Sequence, residues 1–515
     1  VSSGGTSAAL AEAGIAHLEV ATVTGAPEML DGRVKTLHPA IHGGILADRS
    51  RPSHVADLSE RGIEPIDLVV CNLYPFASAP SIEMIDVGGP TMLRAAAKNH
   101  AHVGVVVDPG DYADVLDELR RDGALATATR RRLARAAFAH SAAYDATIVT
   151  WFDAGGDWGG EAELLPPSLH LALERREELR YGENPHQRGA RYADVSAPRG
   201  EAAPAAGAGR ATGRVATAGG MWDQARQLSG RELSYLNLFD ADAAWRLAHE
   251  LLELCSEQGA ASAPGRAALA SAAVIVKHAN ACGAALGTDL ADAYARAFEA
   301  DPLSAFGGVV ALPGRVDLAL GEVIIANPLA DVLIAAAVDD DAAQLLAAKR
   351  KNMRVLIAPP PAPVARSLRQ IGDAWLVQDS DTFLAVPETW RVVTKAVPSP
   401  EQWLDLELAW RVCARTASNA IVLAEGGRIV GVGCGQQSRV DAAVIAGRKA
   451  AGRAEGGAAA SDAYFPFRDG LDAVADTGVT AVAQPGGSLR DDEMIAAADE
   501  RGLAMVLTGE RHFRH

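Results

Sequence analysis

The run Ala273-Val274-Ile275-Val276-Lys277-His278-Ala279-Asn280 closes an apolar, β-branched stretch with a lysine, a histidine and an asparagine. The apolar part reads as a buried strand. In α/β sheets the groups just outside the carboxyl ends of strands are those that meet ligands, and an adjacent Lys-His pair there is a candidate for binding or proton chemistry. The competing reading is a strand end whose polar residues simply face water.

Other stretches point to anions. Ser2-Ser3-Gly4-Gly5-Thr6 leads into a helical pattern from Ser7 to Ala13, so backbone N–H groups could cradle a phosphate, although an unliganded helix cap has the same form. Arg33-Val34-Lys35-Thr36-Leu37-His38-Pro39 and His42-Gly43-Gly44 gather cations, histidines and glycines in a loop. Gly88-Gly89 opens a helix with Pro90 in its first turn, but Asp86 has the wrong sign for an anion site; pairing with a cation such as Lys98, or handling a proton, explains it better. Tyr74 fits a phenolic acid or a core aromatic with a wet tip. Arg180 and His186, in a turn-prone stretch, are candidate phosphate ligands. Gly433 to Arg439 again follows a strand and precedes a helix, with an arginine at the junction.

These residues need elements to hold them. The 515 residues exceed one ordinary core and suggest two to four domains. A net charge of −17 argues against nucleic acid as a partner. No run reaches membrane-spanning length, the start lacks a signal-peptide pattern, and five scattered cysteines suggest neither a zinc site nor a disulfide framework, so a cytoplasmic protein is expected. Strands at Asp67–Cys71 and Val103–Val107 alternate with helices at Met92–Lys98, Tyr112–Arg120 and Thr129–Ala143, implying a parallel sheet. A glycine-rich break at 153–160 marks a boundary. Ser196 to Gly220, rich in Ala, Gly and Pro, reads as a surface loop or disordered insert. Further strands are expected at 309–312, 329–334, 355–358, 418–423 and 429–432, and helices at 241–255, 339–348, 401–413 and 441–449. The aromatics Tyr464, Phe465 and Phe467 suggest core more than ligand pocket.

Together, the motifs Arg33 to Pro39, Asn72-Leu73-Tyr74-Pro75-Phe76, Ile85 to Gly89, Leu93 to His100, Leu179 to Gln187, Gly435 to Arg439 and Ser461 to Asp469 resemble those of the bifunctional purine-biosynthesis family that joins AICAR transformylase to IMP cyclohydrolase. The resemblance covers nearly the whole chain. It implies an α/β fold: a methylglyoxal-synthase-like domain over 1–158, and a transformylase domain over 159–515 made of two cytidine-deaminase-like units, about 159–395 and 396–515. It also implies formyl transfer from the cosubstrate 10-formyltetrahydrofolate to AICAR, then ring closure of FAICAR to IMP. The resemblance further implies that no metal is required, with a structural monovalent cation allowed, and that the working form is a homodimer whose transformylase sites lie between subunits.

Carried over by motif, His278 is the base that takes the AICAR amine proton. Lys277 stabilises the oxyanion or protonates the leaving folate nitrogen, and Asn419 orients the formyl group. Arg180, Tyr181, Arg439, Arg511 and Phe513 match nucleotide-binding positions, and Phe467 and Asp469 the folate side. His186, Asn280, Phe306, Gly307, Asp331 and Gln437 join the transformylase substrate set. For the cyclohydrolase, Lys35, Tyr74, Asp86 and Lys98 match the catalytic constellation, with Ser3, Gly4, Gly5, Thr6, Arg33, Thr36, Gly88 and Gly89 on the substrate side.

Family members begin with a strand and a phosphate loop ahead of the Ser-Thr-Gly-Gly-Thr motif, where this chain starts. The resemblance therefore implies a first domain truncated at its start, with a weaker sheet and IMP phosphate site. Smaller departures are Ala281 in place of a proline, Leu236 in place of an asparagine and Arg415 where a lysine is common. Rival readings are a transformylase with an inactive cyclohydrolase and a non-catalytic nucleotide-binding module. A Rossmann dehydrogenase lacks the GxGxxG fingerprint.

Overall fold

The computed structural model describes residues 1–160, 162–196, 220–255 and 269–515. The insert expected from Ser196 to Gly220 falls, over 197–219, outside the described residues. Two compact units emerge: one holds Val1–Glu174 and the segment from Tyr192, the other Arg175–Arg191 and the chain beyond the insert. Among the described residues no helix is long and apolar enough to cross a membrane.

In the first unit β1 (Leu68–Val70) pairs in parallel with β2 (Gly104–Val106), the order expected when a helix connects two strands. Ile41, Ile45, Val69, Leu93, Ala96, Val105 and Leu133 form its core. The helix Gly88–Lys98 buries Leu93, Ala96 and Ala97 and leaves Lys98 exposed. The helix expected over 129–143 runs from Thr127 to Asp153 and ends at the glycine-rich break. A strand, β3 (Leu173–Leu179), precedes the Arg180 turn and pairs with β4 (Gly189–Asp194).

The second unit is built on a 12-stranded sheet that repeats one pattern twice. In its first half β6 (Ser271–Lys277) and β7 (Asn280–Gly287) form a hairpin; β8 (Val309–Val316) lies antiparallel to β6; β9 (Val332–Val338) and β10 (Arg354–Ile357) continue in parallel; β5 (Arg226–Ser229) closes the edge antiparallel. Between the halves, β11 (Arg366–Ile371) and β12 (Ala374–Asp379) pair as a separate hairpin; in the second half β14 (Ile421–Glu425), β15 (Arg428–Gly433), β16 (Ala458–Ser461), β17 (Ala481–Gln484), β18 (Ala504–Leu507) and β13 (Arg391–Val392) repeat the same order and senses. The halves join where β15 meets β7, Arg428 opposite Ala285. The helices Tyr235–Leu252 and Pro400–Ala414 also correspond, each opened by a serine capping box, Ser234 with Asn237 and Ser399 with Gln402.

This sheet is mixed, not all parallel. A two-residue connection such as the one between β6 and β7 permits only antiparallel pairing, whereas parallel neighbours need a long crossover. The aromatic stretch also divides: Phe465 is core, whereas Tyr464 and Phe467 are exposed.

Candidate functional site

The chemistry-bearing residues of β6 do not run into a loop before a helix; they form the tip of a tight hairpin. Lys277 pairs with Asn280, leaving His278 and Ala279 as the turn, both left-handed at φ 54° and 57°. Such turns favour glycine or asparagine, and each β-branched or alanyl-type side chain in that region costs about 1–2 kcal/mol. Four side-chain contacts hold the strained pair. Asp240 accepts from the N–H groups of His278 (3.3 Å) and Ala279 (2.8 Å). Asn280 Nδ2 donates to the His278 carbonyl (2.8 Å), and Arg514 Nη1 donates to the Ala279 carbonyl (2.8 Å). Every backbone polar group of the turn is thereby partnered. Burial raises the Asp240 carboxyl above the ordinary carboxylate range, the two turn N–H groups pulling the other way.

The second half contains the same turn without the chemistry. Between β14 and β15, Gly426 and Gly427 take φ 62° and 78°. Asp405, at the place in its helix that Asp240 holds in the other, accepts from both N–H groups (2.9 and 2.6 Å). Burial pushes this carboxyl up to about 6. The Gly427 carbonyl accepts from the backbone N–H of Leu286. The carboxylate clamp thus belongs to the fold; the His-Ala pair belongs to one copy.

From the tip, hydrogen bonds run to the second half. Asn280 Oδ1 accepts from Ala417 N (2.8 Å), and two residues on Asn419 donates through Nδ2 to the Gln436 carbonyl (2.9 Å). Arg439 stands just behind that loop, its Nε on Ser461 (2.9 Å) and its Nη2 on Asp462 (2.6 Å). Its side chain is 10% exposed and that of Asp462 0%, so the expected anion ligand already carries a buried counter-ion. Phe513 lies between two guanidinium groups, Arg511 at 4.4 Å and Arg439 at 6.0 Å from its ring. Asp469 caps its own neighbour Gly470, which packs near Arg439, and Phe467 stacks under Arg490 at 4.7 Å.

On the other side of the tip, Lys277 Nζ donates to the Phe306 carbonyl (2.8 Å). Gly307 follows in a left-handed conformation, and Asp331 N–H donates to the next carbonyl, Gly308. Arg180 stacks on Tyr181 at 4.6 Å and bonds its hydroxyl (2.7 Å). Burial lowers the Arg354 guanidinium, Asp331 and Tyr181 opposing it and Arg180 and Arg231 adding to it, so these five residues share one electrostatic neighbourhood. His186 and Gln437 are exposed and stand apart from these contacts.

In the first unit three motif loops converge. Lys35 Nζ lies 3.1 Å from Glu28 and 3.4 Å from where a Cβ on Gly4 would sit, so the ammonium stands beside the start of the first helix, where Gly4 takes φ 56°. A Cβ on Gly88 would lie 3.0 Å from Thr36 Oγ1. Gly5 and Thr6 continue the helix that Gly4 opens, and Arg33 pairs with Glu83. Asp86 Oδ1 accepts from Gly89 N (2.9 Å), so the helix terminus read as an anion site is capped by the protein's own carboxylate. Asp86 N–H donates to the Tyr144 hydroxyl (2.7 Å), which donates to the Met84 carbonyl (2.9 Å). Burial raises the Tyr144 phenol, the Asp86 N–H pulling the other way and the Asp86 carboxylate adding to the rise; Tyr74 is exposed. The pairing of Asp86 with Lys98 is not found. Asp86 precedes the first turn and Lys98 ends the helix, about 15 Å along its axis at the usual rise per residue.

Two groups that hold the 278–279 turn escaped the sequence reading. Asp240, between Phe239 and Ala241 on a helix, looks like an ordinary solvated carboxylate; its only signal is its equivalence to Asp405 behind a capping serine. Arg514 was hidden by its neighbours Arg511 and Phe513, which account for the motif by themselves.

A family model described as AICARFT/IMPCHase bienzyme matches residues 96–449, and one described as MGS-like domain matches residues 1–101. A solved structure titled "Crystal structure of ForH" is 42% identical over 30% of this chain and 84% of its own, with a TM-score of 0.28. Since the first match spans well over half of the sequence, the chain belongs to the AICARFT/IMPCHase bienzyme family, with the α/β fold and MGS-like first domain expected, and it carries out the last two steps of IMP synthesis, formyl transfer to AICAR from a folate-type cosubstrate and closure of the purine ring.

Proposed function

We propose that formyl transfer is carried out at the β6–β7 tip. His278 takes the proton from the AICAR amine as its nitrogen attacks the formyl carbon of 10-formyltetrahydrofolate. Lys277 has three N–H donors and spends one on Phe306, leaving two for the oxyanion of the tetrahedral intermediate. Asn419 orients the formyl oxygen, and collapse of the intermediate expels the folate nitrogen, which takes up the proton that His278 removed from the amine. Arg180, Tyr181, Arg439, Arg511 and Phe513 take the nucleotide, with His186, Asn280, Phe306, Gly307, Asp331 and Gln437 along the same substrate; Phe467 and Asp469 take the folate. The site is completed between the subunits of a cytoplasmic homodimer.

In the first unit Ser3, Gly4, Gly5, Thr6, Arg33, Thr36, Gly88 and Gly89 hold the FAICAR side, and Lys35, Tyr74 and Asp86 move protons as the carboxamide nitrogen attacks the formyl group and water leaves. The Lys98 role rests on its motif alone.

The observation that carries the transformylase assignment is the tip itself: a strained His-Ala turn with every backbone group tied down, where the equivalent turn is Gly-Gly. In the His278→Ala variant, formyl transfer is expected to fall by roughly 10²–10⁴-fold while closure of supplied FAICAR is unchanged. Near wild-type transfer sinks the assignment.

A further inference from the structure

The segment Glu510-Arg511-His512-Phe513-Arg514 alternates. Arg511 and Phe513 are exposed, whereas Glu510, His512 and Arg514 turn toward the protein. The Glu510 carboxylate accepts from the N–H groups of Leu384 (3.0 Å) and Ala385 (2.8 Å). His512, 2% exposed, sets its two ring nitrogens against Asp381 (2.8 Å) and Glu510 (2.7 Å). Arg514 reaches furthest. Its guanidinium donates to the Ala279 carbonyl (2.8 Å) and to the Arg415 carbonyl, and its own carbonyl accepts from Ser418 N (2.9 Å), the residue before Asn419. One residue therefore touches both segments that carry the transformylase chemistry.

The duplicated turn isolates what is special here. Both copies have a carboxylate on their two N–H groups. At the Gly-Gly turn the second carbonyl is met by a backbone N–H of the neighbouring strand, an arrangement that needs no outside side chain. At the His-Ala turn that carbonyl is met by an arginine from the far end of the sequence, the same stretch that presents Arg511 and Phe513 outward.

We propose that Arg514 is a positioning residue of the transformylase: its guanidinium holds the Lys277-His278 turn at a fixed distance from Asn419. Arg514 does not touch the reacting atoms; it aligns the base and the oxyanion donor with the group that orients the formyl. The proposal rests on the assignment of Lys277, His278 and Asn419 made above.

The test compares Arg514→Ala and Arg514→Lys with His278→Ala in the full chain, measuring kcat and KM for AICAR in formyl transfer, closure of supplied FAICAR, and the melting temperature. Misplacement of a reacting group by about 1 Å costs roughly 10²-fold. Arg514→Ala is therefore expected to lose roughly 10- to 100-fold in kcat, with KM for AICAR within about threefold of wild type and FAICAR closure intact. Added guanidinium chloride at a concentration that leaves the wild type unchanged restores part of the lost kcat to Arg514→Ala. Arg514→Lys keeps a cation but loses the planar guanidinium that carries Nη1 to both carbonyls, and falls between wild type and Arg514→Ala.

If His278→Ala is inactive and Arg514→Ala keeps wild-type kcat, this inference is wrong while the site assignment stands; if His278→Ala keeps its turnover, the assignment itself has failed. Loss of kcat that merely parallels a lowered melting temperature, with no guanidinium rescue, overturns positioning in favour of a purely structural role. Should Arg514→Ala not fold, Arg514→Lys decides: a folded variant with unaltered kcat refutes the proposal, and a lowered kcat at unchanged KM supports it.

Discussion

Removing Asp240 tests whether the tip of β6 and β7 is held or merely found in its conformation. In Asp240→Ala the N–H of Ala279, a buried residue, loses its acceptor, which costs about 1–3 kcal/mol, while the N–H of exposed His278 turns to water at little net cost. Removing a carboxylate whose burial disfavours its charge returns part of that, so the turn loses about 1–2 kcal/mol of support. The left-handed strain at positions 278 and 279 is then no longer over-determined, and the active conformation loses roughly 5- to 30-fold in population. The expected result is a fall of that size in kcat for formyl transfer, with KM for AICAR little changed and FAICAR closure untouched. Ala279→Gly supplies the control. Glycine relieves about 1–2 kcal/mol of left-handed strain and gives up about 0.8 kcal/mol for the buried methyl, so it favours the turn by up to about 1 kcal/mol. Asp240→Ala/Ala279→Gly should therefore recover two- to fivefold, or about 0.5–1 kcal/mol, over Asp240→Ala alone. Steady-state formyl transfer and thermal melts of the four proteins complete the cycle. Full activity in Asp240→Ala, or no gain from the glycine, refutes the view that the turn is under strain and clamped.

Two further predictions concern buried charge. Burial alone would lower the pKa of His512, but Asp381 and Glu510 on its two ring nitrogens outweigh burial and raise it above 6.5. A raised folded-state value means that the stabilisation is fully present below pH 6.5 and is lost as pH climbs through the folded value, so the melting temperature should fall above pH 6.5 and His512→Gln should flatten that slope; equal slopes in both proteins would count against an imidazolium at this position. Arg439→Ala strands the fully buried Asp462 carboxylate and should cost about 3–5 kcal/mol of stability in urea unfolding, whereas Arg439→Ala/Asp462→Asn should regain most of it; a single variant as stable as wild type would show that the pair is not buried in solution.

Much of this architecture could be read from residue patterns, and what could not has physical reasons. Ala272 to Val276 announces a buried strand because its side chains are apolar and β-branched, and the helices from Tyr112 and Pro400 carry clear amphipathic or capping signals. β7 was missed because Asn280-Ala281-Cys282-Gly283-Ala284-Ala285 looks like a loop. Its small residues are there for close packing: a Cβ on Gly283 would lie 2.1 Å from the Ala297 carbonyl of the covering helix. With β7 unseen, the hairpin was unseen, and so was the left-handed turn. Lys277, His278 and Asn419 stand out in the sequence by their types and motifs. Asp240 and Arg514 could not, since each acts through a backbone contact that spans, respectively, about a helix and a strand or most of the second unit. The Asp86–Lys98 pairing failed for a simpler reason: the helix begins at Gly88, earlier than the Met92 expected, and its full length lies between them.

The repeated hairpin has one more consequence. A trade-off between stability and activity is usually inferred by comparing a protein with its relatives or its stabilised variants. Here both sides of that comparison occur in a single molecule, under the same solvent and temperature. The glycine turn at 426–427 shows how the scaffold closes when nothing is asked of it, and the turn at 278–279 shows the same closure with an imidazole to display. The difference in free energy between them is what this enzyme commits to displaying that imidazole, and it can be measured without reference to any other protein.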